Sequence, residues 1–307
     1  MRVVVTGSSG MIGSALCERL DQRGDMAIPV DRAPNAWNAS LDARTLTVEL
    51  LRPPRTWPLP RTGIDVVVHC AANARVHDLV VRPELALENV VTCAHAIEYA
   101  RELGAAFVFT SSREVYGNQG LGTYREEDVR IDAIESPYAA SKLGGEHFVF
   151  SYRKVYRLPV VVVRLSNVYG RNDLSDRFVP TAIRKALTGA PLPIYGAHKR
   201  LDFTYLDDTV SGLVAVLDHI ADADGEVVNI ASGRGDTLVE TAQRVGALVG
   251  RPLVLVPQES RPGEVVDFQA DISKARRLLG YAPQTSVTDG LARMWDWYRR
   301  EIMRGVS

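Results

Sequence analysis

Thr6 to Gly13 reads TGSSGMIG, with Gly7, Gly10 and Gly13 each three residues apart. The stretch follows the apolar triplet Val3 to Val5 and opens a segment of helical texture, Met11 to Gln22. Strand, glycine turn and helix in that order form a phosphate cradle. Glycines let the backbone turn tightly and approach a pyrophosphate, while the helix start offers free N–H groups and the positive end of its dipole. Gly7, Gly10, Met11, Ile12 and Gly13 are therefore expected to hold a dinucleotide. A second apolar run, Met26 to Val30, ends at Asp31. A carboxylate there accepts the adenosine ribose hydroxyls and repels a 2′-phosphate, which favours NAD over NADP. The adjacent Arg32 is a cation that could meet such a phosphate.

Working outward, short apolar runs recur at Asp65 to His69, Ala106 to Thr110 and Val160 to Arg164. They are continuous rather than alternating, as strands covered on both faces require. Helical stretches at Glu84 to Leu103 and Tyr138 to Tyr156 lie between them. The pattern predicts an α/β fold, a Rossmann-like doubly wound parallel sheet over residues 1–166. From about Asn167 proline and glycine increase and the alternation stops. Residues 167–307 are read as a smaller C-terminal α/β substrate lobe, with some segments returning to the first domain. The prolines at 53, 54, 58 and 60 read as a surface loop, and the last helix is expected over Val287 to Met303.

Composition narrows the function classes. In 307 residues, 36 Lys+Arg face 37 Asp+Glu, a net charge of −1. This gives no electrostatic reason to expect nucleic acid or a membrane surface as partner. No run approaches the roughly 20 apolar residues that span a bilayer. Cys17, Cys70 and Cys93 form no CxxC pair, so neither a disulfide framework nor a metal site is expected. The opening residues read as a strand rather than a signal peptide, and a cytoplasmic location is the expectation.

Tyr138 and Lys142 lie four apart in PYAASK, a spacing that puts both on one helix face. A tyrosine works as a base near neutral pH only when its phenolate is stabilised, which an ammonium and a positive nicotinamide ring can do. Pro137 suits the first turn of that helix. The strand FVFT runs into Ser111, Ser112, Arg113 and Glu114, at the strand end where such sheets bind ligands.

With these stretches in place, the chain resembles the extended short-chain dehydrogenase/reductase superfamily, in its NAD-dependent nucleotide-sugar epimerase and dehydratase branch. TGSSGMIG, HCAA at His69 to Ala72, SSREVYG, PYAASK, RLSNVYG, LDFTYLDD and RPGE occur in that family's order. The resemblance implies that Ser112, Tyr138 and Lys142 are the catalytic set. Ala71 and Ala72 would line the NAD groove with their backbone, Asn89 would sit in the helix beside the cofactor in a structural or a direct role, and Asn167 and Arg261 would hold a substrate diphosphate. It also implies a homodimer paired through the helices at Glu84 to Leu103 and Tyr138 to Tyr156. His69 reads as a packed residue, and His77 as one that could touch substrate.

Three positions depart from the family's pattern. Leu201 stands where relatives often carry a diphosphate-binding Arg, so either Arg200 replaces it or Arg261 acts alone. The acid near the adenine is not cleanly placed: Ser40 takes its position, with Asp42 two residues on. Arg113 stands where 4,6-dehydratases carry Asp, while Glu114 keeps the acid that works there at carbon 5. Arg113 and Arg171 could each pair with a substrate carboxylate, or Arg113 could point to solvent. The first expectation is an NAD-dependent 4-epimerase resembling UDP-glucose 4-epimerase, taking a nucleotide-diphosphate sugar, with a UDP-sugar favoured. A dehydratase or decarboxylase using Glu114 is the second, for example a UDP-hexosamine 5,6-dehydratase or an enzyme like UDP-glucuronate decarboxylase. A non-catalytic NAD-binding sensor is the third, of a different class.

Overall fold

The computed structural model describes residues 1–305, with side chains to Glu301. Its main sheet is built from β1 (Arg2–Thr6), β2 (Met26–Asp31), β3 (Leu46–Thr47), β4 (Val66–His69), β5 (Ala106–Ser112) and β6 (Val160–Leu165). The connecting helices are α1 (Met11–Gln22), α2 (Ala39–Asp42), α3 (Val76–Val81), α4 (Glu84–Leu103) and α5 (Pro137–Tyr156). A seventh strand, β11 below, completes the order β11-β6-β5-β4-β1-β2-β3, and every pairing is parallel. The chain runs outward from β1 through β2 and β3, then returns to β4 on the other side of β1. That reversal opens a crevice beyond the strand ends, the ligand site of open α/β sheets.

Pleating explains why the strands are apolar throughout. Val3, Val5, Val66, Val68, Val161 and Val163 join one buried cluster together with Leu16 of α1. Their neighbours Val4, Val67, Val160 and Val162 join a second cluster with Ile97 and Tyr99 of α4. Successive side chains enter opposite faces, and helices cover both.

The second half comprises β7 (Asn167–Tyr169), α6 (Phe178–Thr188), β8 (Leu192–Tyr195), β9 (Arg200–Leu201), β10 (Phe203–Tyr205) and α7 (Leu206–Asp218). It continues with β11 (Val227–Ile230), β12 (Asp236–Thr237), α8 (Leu238–Val249), β13 (Leu255–Gln258), β14 (Asp267–Phe268), α9 (Ser273–Leu279) and α10 (Val287–Gly305). Three small sheets arise here: β10-β7, β12-β9-β14 and β13-β8. Two segments return to the first half: β11 extends the main sheet beside β6, and α7 packs on α1.

The proline-rich connector differs from its reading as a surface loop. Pro54–Thr56 form a turn of 3-10 helix, and Trp57 and Leu59 are buried. The Trp57 ring lies 5.5 Å from that of Tyr99, so the connector caps the outer side of α4 with apolar contacts that its prolines conceal in the sequence.

Candidate active site

The glycine turn is shaped by contact. Gly7 has φ +74°, and a Cβ on it would stand 2.6 Å from the backbone nitrogen of Ala71. A Cβ on Gly13 would stand 2.2 Å from the Gly7 carbonyl oxygen. Gly10 is the N-cap of α1 and supplies no side-chain cap, so the first helical N–H groups face outward without one. Asp31 accepts from Ser9 N–H at 2.9 Å and Ala33 N–H at 3.0 Å, which holds its carboxylate beside the turn. Arg32 is exposed. Near the expected adenine position, Ser40 is exposed and Asp42 accepts from Asn35 N–H at 2.7 Å. A cradle that a single Cβ would fill, beside a positioned carboxylate, fits a dinucleotide.

Next to this turn lies a cavity of about 520 Å³. Met11, Ile12 and Ala72 line it, whereas Ala71 and Asn89 do not. Asn89, expected beside the cofactor in a structural or a direct role, is a buried clamp. It accepts from Asn73 N–H at 2.7 Å and donates to Asn73 O at 3.1 Å and Ser141 Oγ at 3.2 Å. It thus ties the loop after β4 to α5.

Ser112, Tyr138 and Lys142 converge on the same cavity. Ser112 ends β5, and both it and Tyr138 line the cavity. Ser136 caps α5 by accepting Ala139 N–H at 3.2 Å, and Pro137 fills the first turn, which places Tyr138 at the helix mouth. One turn on, Lys142 Nζ donates to Thr110 O at 2.8 Å and lies 5.1 Å from the Phe109 ring centre. Burial pushes the Lys142 ammonium down to about 8. Burial pushes the Tyr138 phenol up, and the neighbouring Ser112 hydroxyl offsets part of that. His69 is packed as expected: burial, then the Lys142 charge, lower it to about 3, and Nδ1 pairs with Thr6 Oγ1 at 2.8 Å.

Farther along the cavity stand Asn167, His77 and Arg261, whose guanidinium lies 3.9 Å over the Tyr195 ring. Arg200 does not join them. Its guanidinium donates to Asp267 at 3.0 Å, Gln269 at 3.1 Å and Gly122 O at 3.2 Å, outside the cavity. Strand alternation is the reason: Leu201 faces the cavity, so Arg200 faces away and Lys199 faces in again. Lys199 is only 3 % exposed and pairs with Glu264, also on the cavity wall. Sequence reading missed it, although the period of two was the signal. Arg177, at the N-cap of α6, and Arg75 also line the cavity unforeseen, because only the folded lobe brings them there. Arg171 lies outside it, 2.8 Å from Glu18. Arg113 does not point to solvent: it is buried, 2.7 Å from Glu114 Oε1. Burial raises the Glu114 carboxyl, and Arg113 partly offsets this.

A sequence profile of the NAD dependent epimerase/dehydratase family matches residues 3–231. The chain belongs to this family. An uncharacterized UDP-glucose epimerase of Bacillus subtilis, YtcB, is 32% identical over 95% of this chain and 96% of its own. A UDP-glucuronate 4-epimerase of Thermodesulfobacterium geofontis is 28% identical over 97% and 96%. The crystal structure of a Bacillus cereus UDP-glucuronic acid 4-epimerase mutant, in complex with UDP-4-deoxy-4-fluoro-glucuronic acid and NAD, superposes with TM-score 0.89 and 28% identity. It covers 98% of this chain and 100% of that one.

The cofactor of this NAD-dependent epimerase/dehydratase family fits the glycine cradle and Asp31. Behind the site, this member carries a buried ion pair. Arg164 of β6 meets Glu146 of α5 through Nε at 2.9 Å and Nη2 at 2.7 Å, and Ser111 Oγ donates to Glu146 at 2.6 Å. Because Glu146 is one turn beyond Lys142 and Ser111 precedes Ser112, Glu146 ties α5 to β5 through Ser111 and to β6 through Arg164. Among the described residues no acid, histidine and cysteine cluster could hold a metal ion, and no helix is long and apolar enough to cross a membrane.

Proposed function

We propose that the protein is an NAD-dependent nucleotide-sugar 4-epimerase of the UDP-glucose/UDP-galactose type. The observation that carries this reading is the convergence of Ser112, Tyr138 and Lys142 on a cavity that continues to Lys199, Asn167 and Arg261. When bound, NAD supplies a hydride acceptor at carbon 4 and later returns the hydride. Tyr138 takes the proton of the sugar's 4-hydroxyl, and Lys142 stabilises the resulting phenolate. Ser112 orients the same oxygen. Arg261 and Lys199 hold the diphosphate at the far end, where a guanidinium fork suits phosphate geometry. Anchoring only the nucleotide leaves the sugar able to present either face after oxidation.

A second reading, a dehydratase or decarboxylase, is favoured by Glu114 on the same wall. A panel of UDP-, dTDP- and GDP-sugars, including UDP-glucuronate, separates the two. Unchanged mass with a new NMR spectrum is expected; loss of water or carbon dioxide would refute epimerisation. We also propose a homodimer in the cytoplasm, built on α4 and α5, which pack together and expose Leu87, Val91, Phe148 and Val155. Sedimentation of a monomer at micromolar concentration would refute the dimer.

A further inference from the structure

Arg113 and Glu114 are held as one unit on the cavity wall. Arg113 Nη2 stands 2.7 Å from Glu114 Oε1, while Glu114 Oε2 accepts Val265 N–H at 3.4 Å. The guanidinium also lies 5.7 Å over the Phe268 ring, which fixes it from the other side. Its Nη1 is buried and has no hydrogen-bond partner among the described residues. Such a group is retained at a cost, which a functional role explains. The carboxylate is also close to the chemistry. Ser112, Glu114 and Tyr138 line the same cavity, Glu114 N–H donates to Ser112 Oγ at 3.2 Å, and the Glu114 charge acts on the Tyr138 phenol. The phenol that would address the oxygen on carbon 4 therefore shares a wall with a carboxylate, and carbon 5 adjoins carbon 4.

Once carbon 4 is a ketone, the hydrogen on carbon 5 is acidic. A free carboxylate would accept that proton as the C5–H bond breaks. The bonding pair would form a C4–C5 double bond, and the carbonyl π pair would move onto the carbon-4 oxygen. The enolate could then regain a proton at carbon 5, or re-form the carbonyl while the C4–C5 pair becomes a C5–C6 double bond and the carbon-6 oxygen leaves as water with the proton that Glu114 took up. A carboxylate whose lone pair is committed to a guanidinium is a weaker base with a fixed direction.

We propose that Arg113 is a positioning residue that holds Glu114 in an ion pair and so keeps the 4-keto sugar from losing its carbon-5 proton, leaving hydride return as the exit. The proposal rests on the epimerase reading. Arg113, Lys199, Glu264 and Tyr138 are the titratable groups around Glu114. Burial raises its carboxyl and Arg113 lowers it. Without Arg113, Glu114 therefore keeps its proton to higher pH, and any exchange it drives must grow with pH.

The test is turnover of UDP-galactose by the NAD-loaded enzyme in D2O, with carbons 4 and 5 read by NMR. The wild type should give the new carbon-4 epimer and retain its carbon-5 proton through many turnovers. Arg113→Asn should introduce deuterium at carbon 5 at least about tenfold faster than wild type, increasingly with pH, and Arg113→Asn/Glu114→Gln should abolish it. Deuterium at carbon 5 in the wild-type epimer overturns the proposal alone. So does a folded Arg113→Asn variant that epimerises without exchange at any pH. If Arg113→Asn does not fold, Arg113→Gln takes its place in the same assay, with exchange at carbon 5 upholding the proposal and epimerisation without exchange overturning it. Absence of any wild-type epimer removes the epimerase reading and the proposal with it.

Discussion

Glu146 and Arg164 test how the catalytic wall is held. Their side chains are 4 % and 5 % exposed, so neither charge has water to fall back on. Glu146→Leu leaves the guanidinium buried with two neutral partners, the Tyr116 hydroxyl at 3.1 Å and Glu126 O at 2.7 Å. Breaking such a pair from one side costs about 3–5 kcal/mol. For a chain of this size that is a fall in Tm of roughly 6–15 °C, at about 2–3 °C per kcal/mol. Arg164→Met is expected to cost a similar amount, because it strands the carboxylate.

The double variant Glu146→Leu/Arg164→Met removes both charges. Tyr116 keeps its bond to Asn229 Oδ1 at 2.7 Å, so the groups left short are the Ser111 hydroxyl and the Glu126 carbonyl. Their loss amounts to about 1–3 kcal/mol, so the double variant should be no less stable than either single one. Urea unfolding in saturating NAD, which equalises cofactor linkage, measures all four corners of the cycle. Single variants that each cost under about 1 kcal/mol, or a double variant near the sum of the two, would refute the reasoning.

Lys142 gives a pH prediction. Its folded value of about 8 lies below the usual 10.5, so folding penalises the charged form. The penalty, about 3 kcal/mol, is complete below pH 8 and vanishes as pH rises through 10.5. Lys142→Met should therefore stabilise the NAD-free protein at pH 7, less about 1 kcal/mol for the bond to Thr110 O, while abolishing turnover. Melting at pH 7 and pH 10 checks this, and a gap that does not close with pH would contradict it. Gly7→Ala combines positive φ with a Cβ 2.6 Å from the Ala71 nitrogen, and should cost about 2–4 kcal/mol and weaken NAD binding in a fluorescence titration. Lys199→Met should raise the KM for a UDP-sugar roughly 10–100-fold with kcat little changed, whereas Arg200→Met should lower Tm and leave KM alone.

Local chemistry was readable along the chain. The glycine turn, the α5 mouth with Pro137, Tyr138 and Lys142, and the strands β1, β4 and β6 depend on neighbours close in sequence, and they stand where the residues placed them. β11 was not legible, because a short strand at residues 227–230 has meaning only beside β6. The same holds for the pairing of Arg113 with Glu114, since residue types left Arg113 open between solvent and a substrate carboxylate.

The sequence by itself determined the cofactor half: turn, helix start and acid lie within 26 residues, where backbone geometry is dictated by glycine and strand period. In the substrate half Asn167 and Arg261 were legible, while tertiary structure decided which other cations face the cavity. Whether Lys199 or Arg200 faces the cavity depends on the pairing of β9 with β14, and Arg75, Arg177 and Arg261, far apart in sequence, line one cavity only in the folded chain. A side chain's charge is set by its type, but its partner is set by long-range packing, and on this wall the partner decides what each charge can do.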